Sequence, residues 1–172
     1  ITSICNLKCS HCYVDDRHAS SRFEYLDIGI IKKVVNEALD LQAVTITITG
    51  GEPLMHPDFL EIVSYIKDKG FVLFLKTNGT LITDNNVVII KKYVDQVILT
   101  RYGCSKKVYE KTTKVKGSYD RYVNALSLLQ TNKIPYKENA VLLKDNEEEL
   151  AELLESTSML DAYITATCEN PY

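Results

Sequence analysis

The stretch CNLKCSHC places Cys5, Cys9 and Cys12 within eight consecutive residues. Thiolates are soft ligands that select zinc or iron–sulfur clusters. A cubane [4Fe-4S] cluster needs four ligands, so three cysteines leave one iron without a protein ligand. The same loop allows two plainer readings, a zinc site completed by His11 or simple surface thiols. A second concentration of chemistry is TGGEP, residues 49–53. Gly50 and Gly51 let the backbone approach a ligand closely and expose their amides, and Glu52 can accept hydrogen bonds from an ammonium group. Taken alone, GGEP is equally a tight turn that ends a buried strand.

These residues need elements to hold them. Ile1 to Ile4 reads as the end of a strand, and LDIGIIKKVVNEALDLQ as a helix N-capped by Asp27, with Ile28, Ile31, Val34, Val35, Ala38 and Leu39 at helical spacing. AVTITIT is short and β-branched, hence a strand. A helix follows from Pro57 to Gly70, then the strand FVLFLKT, the turn TNGT, the helix DNNVVIIKKYV and the strand DQVILTRYG. SYDRYVNALSLLQTN is an amphipathic helix with Tyr122, Ala125, Leu126 and Leu129 on one face. IPYKENAVLLK, NEEELAELLEST and DAYITATC complete the pattern as strand, helix and strand.

The total is about six strands and five helices in strict alternation. Such alternation means parallel strands joined by right-handed helical crossovers, with function at the strands' C-terminal ends. The cysteine loop, GGEP, TNG and RYGCS all fall there. Periodicity alone does not choose between a doubly wound sheet and a barrel. The family resemblance set out below brings Cys5–Cys12, Gly50–Glu52 and Thr100 to one ligand, which implies a curved sheet in sequential order. The expected fold is therefore an α/β partial (βα)6 TIM-like barrel, parallel strands in sequential order with helices outside. One domain is expected over residues 1–172, with a longer protein extending beyond both ends.

C-x3-C-x2-C after the first strand, followed by GGEPL after the second, resembles the radical S-adenosylmethionine (radical SAM) superfamily. YGCSKKVYEKTTKVKGSYDRYVNALSLL and VLLKDNEEEL also look like the peptide- and protein-modifying subgroup that often carries a SPASM-type domain. The resemblance implies that Cys5, Cys9 and Cys12 hold a [4Fe-4S] cluster whose open iron takes SAM. It implies that Gly50, Gly51 and Glu52 bind the methionyl amino group. His11 then occupies the position, usually aromatic, before the third cysteine, and Thr100 a position where a hydroxyl contacts ribose or carboxylate. The implied activity is reductive cleavage of SAM to a 5′-deoxyadenosyl radical, which abstracts hydrogen from a peptide or protein substrate. Alternatives are a radical SAM enzyme of cofactor or small-molecule biosynthesis and a non-catalytic zinc-binding module. An electron donor such as a flavodoxin or ferredoxin is implied as a partner. Asn78 reads first as a turn residue, Tyr13 as packing beside the loop, and Cys104 and Cys168 as small buried residues.

Composition sets outer bounds. The 172 residues, 45% hydrophobic and 25% charged, suit one globular domain. A net charge of −3 gives no footprint for nucleic acid, and no apolar run reaches the roughly 20 residues of a membrane span. Five cysteines, an odd number with three clustered, argue for a reducing, cytoplasmic setting.

Overall fold

The computed structural model describes residues 1–12 and 25–156. Asp27 opens α1 (Ile28–Asp40) by accepting hydrogen bonds from the Gly29 and Ile30 amides, and Ile31 and Val35 form its buried stripe. Strand β1 (Thr45–Ile48) leads through GGEP and a 3-10 turn (Pro53–Met55) to α2 (Phe59–Asp68), which buries Phe59, Ile62, Val63 and Ile66. Gly70, at φ 87°, takes the left-handed conformation that ends this helix and turns the chain into β2 (Val72–Thr77). Helix α3 (Asp84–Tyr93), β3 (Gln96–Arg101), α4 (Lys106–Thr113) and α5 (Ser118–Thr131) follow. Strand β4 (Tyr136–Ala140), a 3-10 segment (Lys144–Glu149) and α6 (Leu150–Ser156) complete the described chain.

The four strands form one parallel sheet in the order β1-β2-β3-β4. Register sorts the side chains. Ile48, Leu75 and Val97 lie in one row and Thr77 and Leu99 in the next, all on the face that packs against helices. Thr47, Phe74 and Gln96 form a row on the opposite face, as do Lys76, Ile98 and Lys137. The α/β architecture, parallel pairing and sequential order are those expected.

Three expectations need correction. Ile1 to Ile4 forms no ladder; Thr2 makes only an isolated antiparallel bridge with Tyr25, and the segment instead lays its carbonyls against the amides of the GGEP turn. Strict alternation fails between β3 and β4, where α4 precedes α5. SKKVYEKTT lacks a long apolar stripe, so its helical period is hard to see, yet Ser105 caps it through the Val108 amide and Tyr109 and Thr112 are buried on one side. The strand expected through Lys144 stops at Ala140, where the Asn146 side chain bonds the Val141 carbonyl and the Leu143 amide and turns the backbone away. The strand expected at DAYITATC lies outside the described residues, as do Tyr13 and Cys168.

Candidate functional site

The cysteine loop is held from three sides. On the first, the Gly51 amide donates to the Thr2 carbonyl at 2.7 Å and the Glu52 amide to Ile4 at 2.8 Å. A Cβ added at Gly50 would stand 2.3 Å from the Thr2 oxygen, and one at Gly51 2.3 Å from the Ile4 oxygen. Only glycine admits this approach. The glycine pair thus seats the segment entering Cys5, while both glycines still line the adjoining cavity.

On the second side, the C-terminus of α4 receives the middle of the loop. Lys8 and Ser10 donate their amides to the Thr113 and Thr112 carbonyls, each at 3.0 Å. Terminal helix carbonyls have no intrahelical partner, and the loop supplies one. The Ser10 hydroxyl also reaches Asp145 at 3.3 Å, and Lys111 pairs with Asp145 at 2.9 Å. The helix hardest to see in the sequence is therefore the one that fixes Cys9.

On the third side is the TNG turn. Asn78 Nδ2 donates to Asn6 Oδ1 at 3.0 Å, and Asn6 in turn donates to the Thr80 hydroxyl at 2.8 Å. Asn78 Oδ1 accepts from the Thr80 amide, so this residue both builds the turn and ties it to the cysteine loop. Glu52 is 0% exposed. Its Oε1 accepts from the Thr77 hydroxyl at 2.7 Å and the Leu54 amide at 3.1 Å, and its Oε2 from the Asn78 amide at 2.9 Å. A carboxylate has about four acceptor sites, so one remains, on Oε2. Burial pushes this carboxyl above its ordinary range, and the three hydrogen bonds oppose the shift.

Cys5, Cys9, Cys12 and His11 share the wall of a cavity of about 380 Å³ with Gly50, Gly51, Thr77, Asn78, Thr100 and Lys76. The sequence therefore marked residues that the fold does gather. Glu52 lies behind this wall, and Cys104 lies away from it, packed with Ala140 and Leu153. Tyr102, which sequence reasoning passed over, also lines the cavity that Cys9 lines. Its position two residues past Thr100, at the strand's C-terminal end, was the available signal.

The thiols carry a clear electrostatic signature. Burial pushes Cys9 up to about 11, the neighbouring Tyr102 hydroxyl opposes this, and Cys5 and Cys12 add repulsion. Burial also raises Cys5, against hydrogen bonds from the Leu7 amide and Asn78. His11 is held below its ordinary value by burial, hence neutral, and its Nδ1 is buried without a protein partner. Three soft donors that repel one another as thiolates, around a cavity with an unpartnered ring nitrogen, suit a multi-iron cation better than an empty core. A single zinc would need its ligands within about 2.3 Å of one point. Among the described residues, no three His, Cys, Asp or Glu side chains converge closely enough to hold one metal ion.

The sequence profile of the radical SAM superfamily matches residues 1–157. The chain belongs to the radical SAM superfamily. Its cofactors are those of that family, a [4Fe-4S] cluster and SAM. The chain is 28% identical over 163 residues to the AdoMet-dependent heme synthase of Methanosarcina barkeri (strain Fusaro / DSM 804), covering 94% of this chain and 46% of that enzyme. It is 29% identical over 136 residues to the antilisterial bacteriocin subtilosin biosynthesis protein AlbA of Bacillus subtilis (strain 168), covering 78% of this chain and 30% of AlbA. Streptococcus suis SuiB, solved with S-adenosylmethionine, superposes with a TM-score of 0.74 at 22% identity over 90% of this chain and 35% of SuiB, which shows a shared fold. The chain thus spans less than half the length of these relatives.

Proposed function

We propose that this chain is the core of a radical SAM enzyme in which Cys5, Cys9 and Cys12 hold the cluster. The observation that carries this reading is the single cavity bringing those cysteines together with Gly50, Gly51 and Thr100. When bound, the cluster would supply the electron for reductive cleavage of SAM, and with it the radical chemistry that removes hydrogen from a substrate. The protein's part is to bind, orient and exclude water. Gly50 and Gly51 meet the methionyl amino group from the cavity wall, and Glu52, behind them, holds that turn in place through Thr77, Leu54 and Asn78. Thr100, half-buried in the cavity wall, contacts ribose or carboxylate, and neutral His11 packs beside the cluster.

The substrate is a peptide or protein, and the electron comes from a carrier such as a flavodoxin or ferredoxin. Supporting the peptide reading are the 29% identity to a bacteriocin biosynthesis protein and the likeness to SuiB, which was also crystallised with its precursor peptide. A second reading, a small-molecule substrate, draws on the heme synthase match, which covers 94% of this chain. Among the described residues no helix is long and apolar enough to cross a membrane.

The deciding experiment uses the full-length protein, reconstituted anaerobically with iron and sulfide. About four irons per cysteine-loop site and release of 5′-deoxyadenosine from SAM are expected. Cys5→Ala, Cys9→Ala and Cys12→Ala each lose both, whereas Cys104→Ala loses neither. Stoichiometric zinc without iron in the wild type would overturn the reading. Deuterium transfer into 5′-deoxyadenosine from labelled peptide, or from a labelled small molecule, then separates the two substrate classes.

A further inference from the structure

The Cys5 sulfur is met by two N–H donors. The Leu7 amide, from the same loop, lies at 3.4 Å, and Asn78 Nδ2, from the turn after β2, at 3.8 Å. The second donor is locked in orientation. Asn78 Oδ1 accepts from the Thr80 amide at 2.9 Å and from the Thr80 hydroxyl at 2.6 Å. Asn78 Nδ2 donates to Asn6 Oδ1 at 3.0 Å, and Asn6 Nδ2 donates to the Thr80 hydroxyl at 2.8 Å. Asn78, Asn6 and Thr80 thus close a ring of side-chain hydrogen bonds. The Thr80 amide, which can only donate, fixes which end of the Asn78 side chain is oxygen. A side-chain amide carries two N–H hydrogens, and the ring uses one of them. The other is left for Cys5.

We propose that Asn78 tunes the cluster, its side-chain amide raising the reduction potential through the hydrogen bond to the Cys5 sulfur. The inference rests on the reading that Cys5, Cys9 and Cys12 hold the cluster. Reduction adds negative charge to the ligating sulfurs, so a donor aimed at one of them stabilises the reduced state more than the oxidised one. Burial strengthens the effect, because Asn78 is 6% exposed and Thr80 3%, and the local dielectric is low. The Leu7 amide acts on the same atom, but it belongs to the loop and moves with it. Asn78 is anchored elsewhere, its backbone amide donating to Glu52 Oε2 at 2.9 Å. It is thus a positioning residue that acts through Cys5 from a separate, fixed element.

The test uses the reconstituted full-length protein without SAM, and EPR-monitored potentiometry compares wild type with Asn78→Ala. The variant is expected to hold about four irons and to become harder to reduce, by about fivefold in the reduction equilibrium, or ~41 mV for one electron. The sign is diagnostic. Truncation also opens space for water beside the cysteines, and water favours the more negative, reduced state, which would raise the potential. Loss of the donor lowers it. An unchanged or raised potential in Asn78→Ala overturns the proposal. Asn78 also builds its own turn, so a second measurement covers a variant that loses iron. Wild type carrying asparagine labelled with nitrogen-15 at the side-chain amide alone is reduced and studied by pulsed EPR. A nitrogen-15 coupling to the cluster is expected, and its absence overturns the proposal whatever the variant does. Failure of the wild type to assemble any four-iron cluster is a different result, and it overturns the functional reading instead.

Discussion

The two faces of the sheet are built from the same strands and share almost nothing else. Toward the helices, Leu73, Leu75, Val97 and Leu99 are each 0% exposed. On the opposite face Thr45, Thr47 and Lys76 are exposed, and Gln96, Thr100 and Asn139 are half-buried. Side chains alternate along a strand, so a single residue step separates a dry apolar layer from a more polar one. Parallel sheets usually bury apolar side chains on both faces. Here the polar face meets the cavity, through Lys76 and Thr100. Stability and chemistry are therefore assigned mainly to opposite faces, with Thr77 on the packed face reaching the cavity as well, and each should largely break without the other.

The largest effect is expected on the packed face. Leu99 is fully buried and its Cδ2 lies against the Gly79 turn, with Ala125 and Tyr122 close by. Leu99→Ala should cost roughly 2–5 kcal/mol in urea unfolding, the range for a buried leucine that leaves a cavity. SAM affinity measured well below the melting temperature should hardly move. A loss of stability under about 1 kcal/mol would show that this face is not the main source of stability.

Gly51→Ala comes next because it acts where the faces meet. The new Cβ would overlap the Ile4 backbone oxygen, and backbone cannot swing aside as a side chain can. Overpacking of this kind costs roughly 1–3 kcal/mol. The more telling readout is iron per chain, because relief of the clash pushes the segment leading into Cys5 away from the turn. Full iron loading with wild-type stability would mean that the close approach is dispensable.

Glu52→Gln should be milder, about 1–2 kcal/mol, since the amide must turn one N–H toward a group that is itself a donor. Its pH signature is the sharper check. The folded-state carboxyl lies above its ordinary value through burial, so the folded chain binds this proton more tightly than the unfolded chain. That contribution to stability is full below the unfolded-state value near 4.5 and is lost as pH rises through the folded-state value. The glutamine variant should lack this component when unfolding is followed from pH 4 upward. Identical pH profiles would show that the hydrogen bonds from Thr77, Leu54 and Asn78 cancel the burial.

Those variants also mark what could be read from sequence. The strands around TITI, VLFLKT and QVILTR were visible as β-branched or apolar runs, as were the three cysteines and the glycine pair, because each is a local pattern of residue type. Parallel order followed from the helices between the strands. What stayed hidden depends on partners far apart in the chain. Helix α4 is short, lysine-rich and poor in aliphatic residues, so its helical signal is weak, and its grip on Lys8 and Ser10 spans about a hundred residues. Gly50 and Gly51 were expected to admit a ligand, but what approaches them most closely is the chain's own Thr2–Ile4 backbone. Tyr102 looked like one tyrosine among 11, and only the fold brings it to the cavity that Cys9 lines.

The smallest effect on stability is expected from Lys76→Met, and it probes the open face most directly. Lys76 stands on β2 next to Thr77, its register partner is Ile98, and its exposed side chain edges the cavity. Methionine keeps an unbranched stem of similar reach and removes only the charge. Because the head group lies in solvent, unfolding free energy should change by no more than about 0.5 kcal/mol. An anionic group entering the cavity, such as the SAM carboxylate, would lose a nearby cation. Affinity by calorimetry should then fall severalfold at low ionic strength, and wild type and variant should draw together as salt is added and screening grows. A destabilisation beyond about 1 kcal/mol would show that Lys76 packs as part of the core, and the division between the faces would fail at β2. Unchanged affinity at every salt concentration would leave the division standing but remove charge from what the open face contributes.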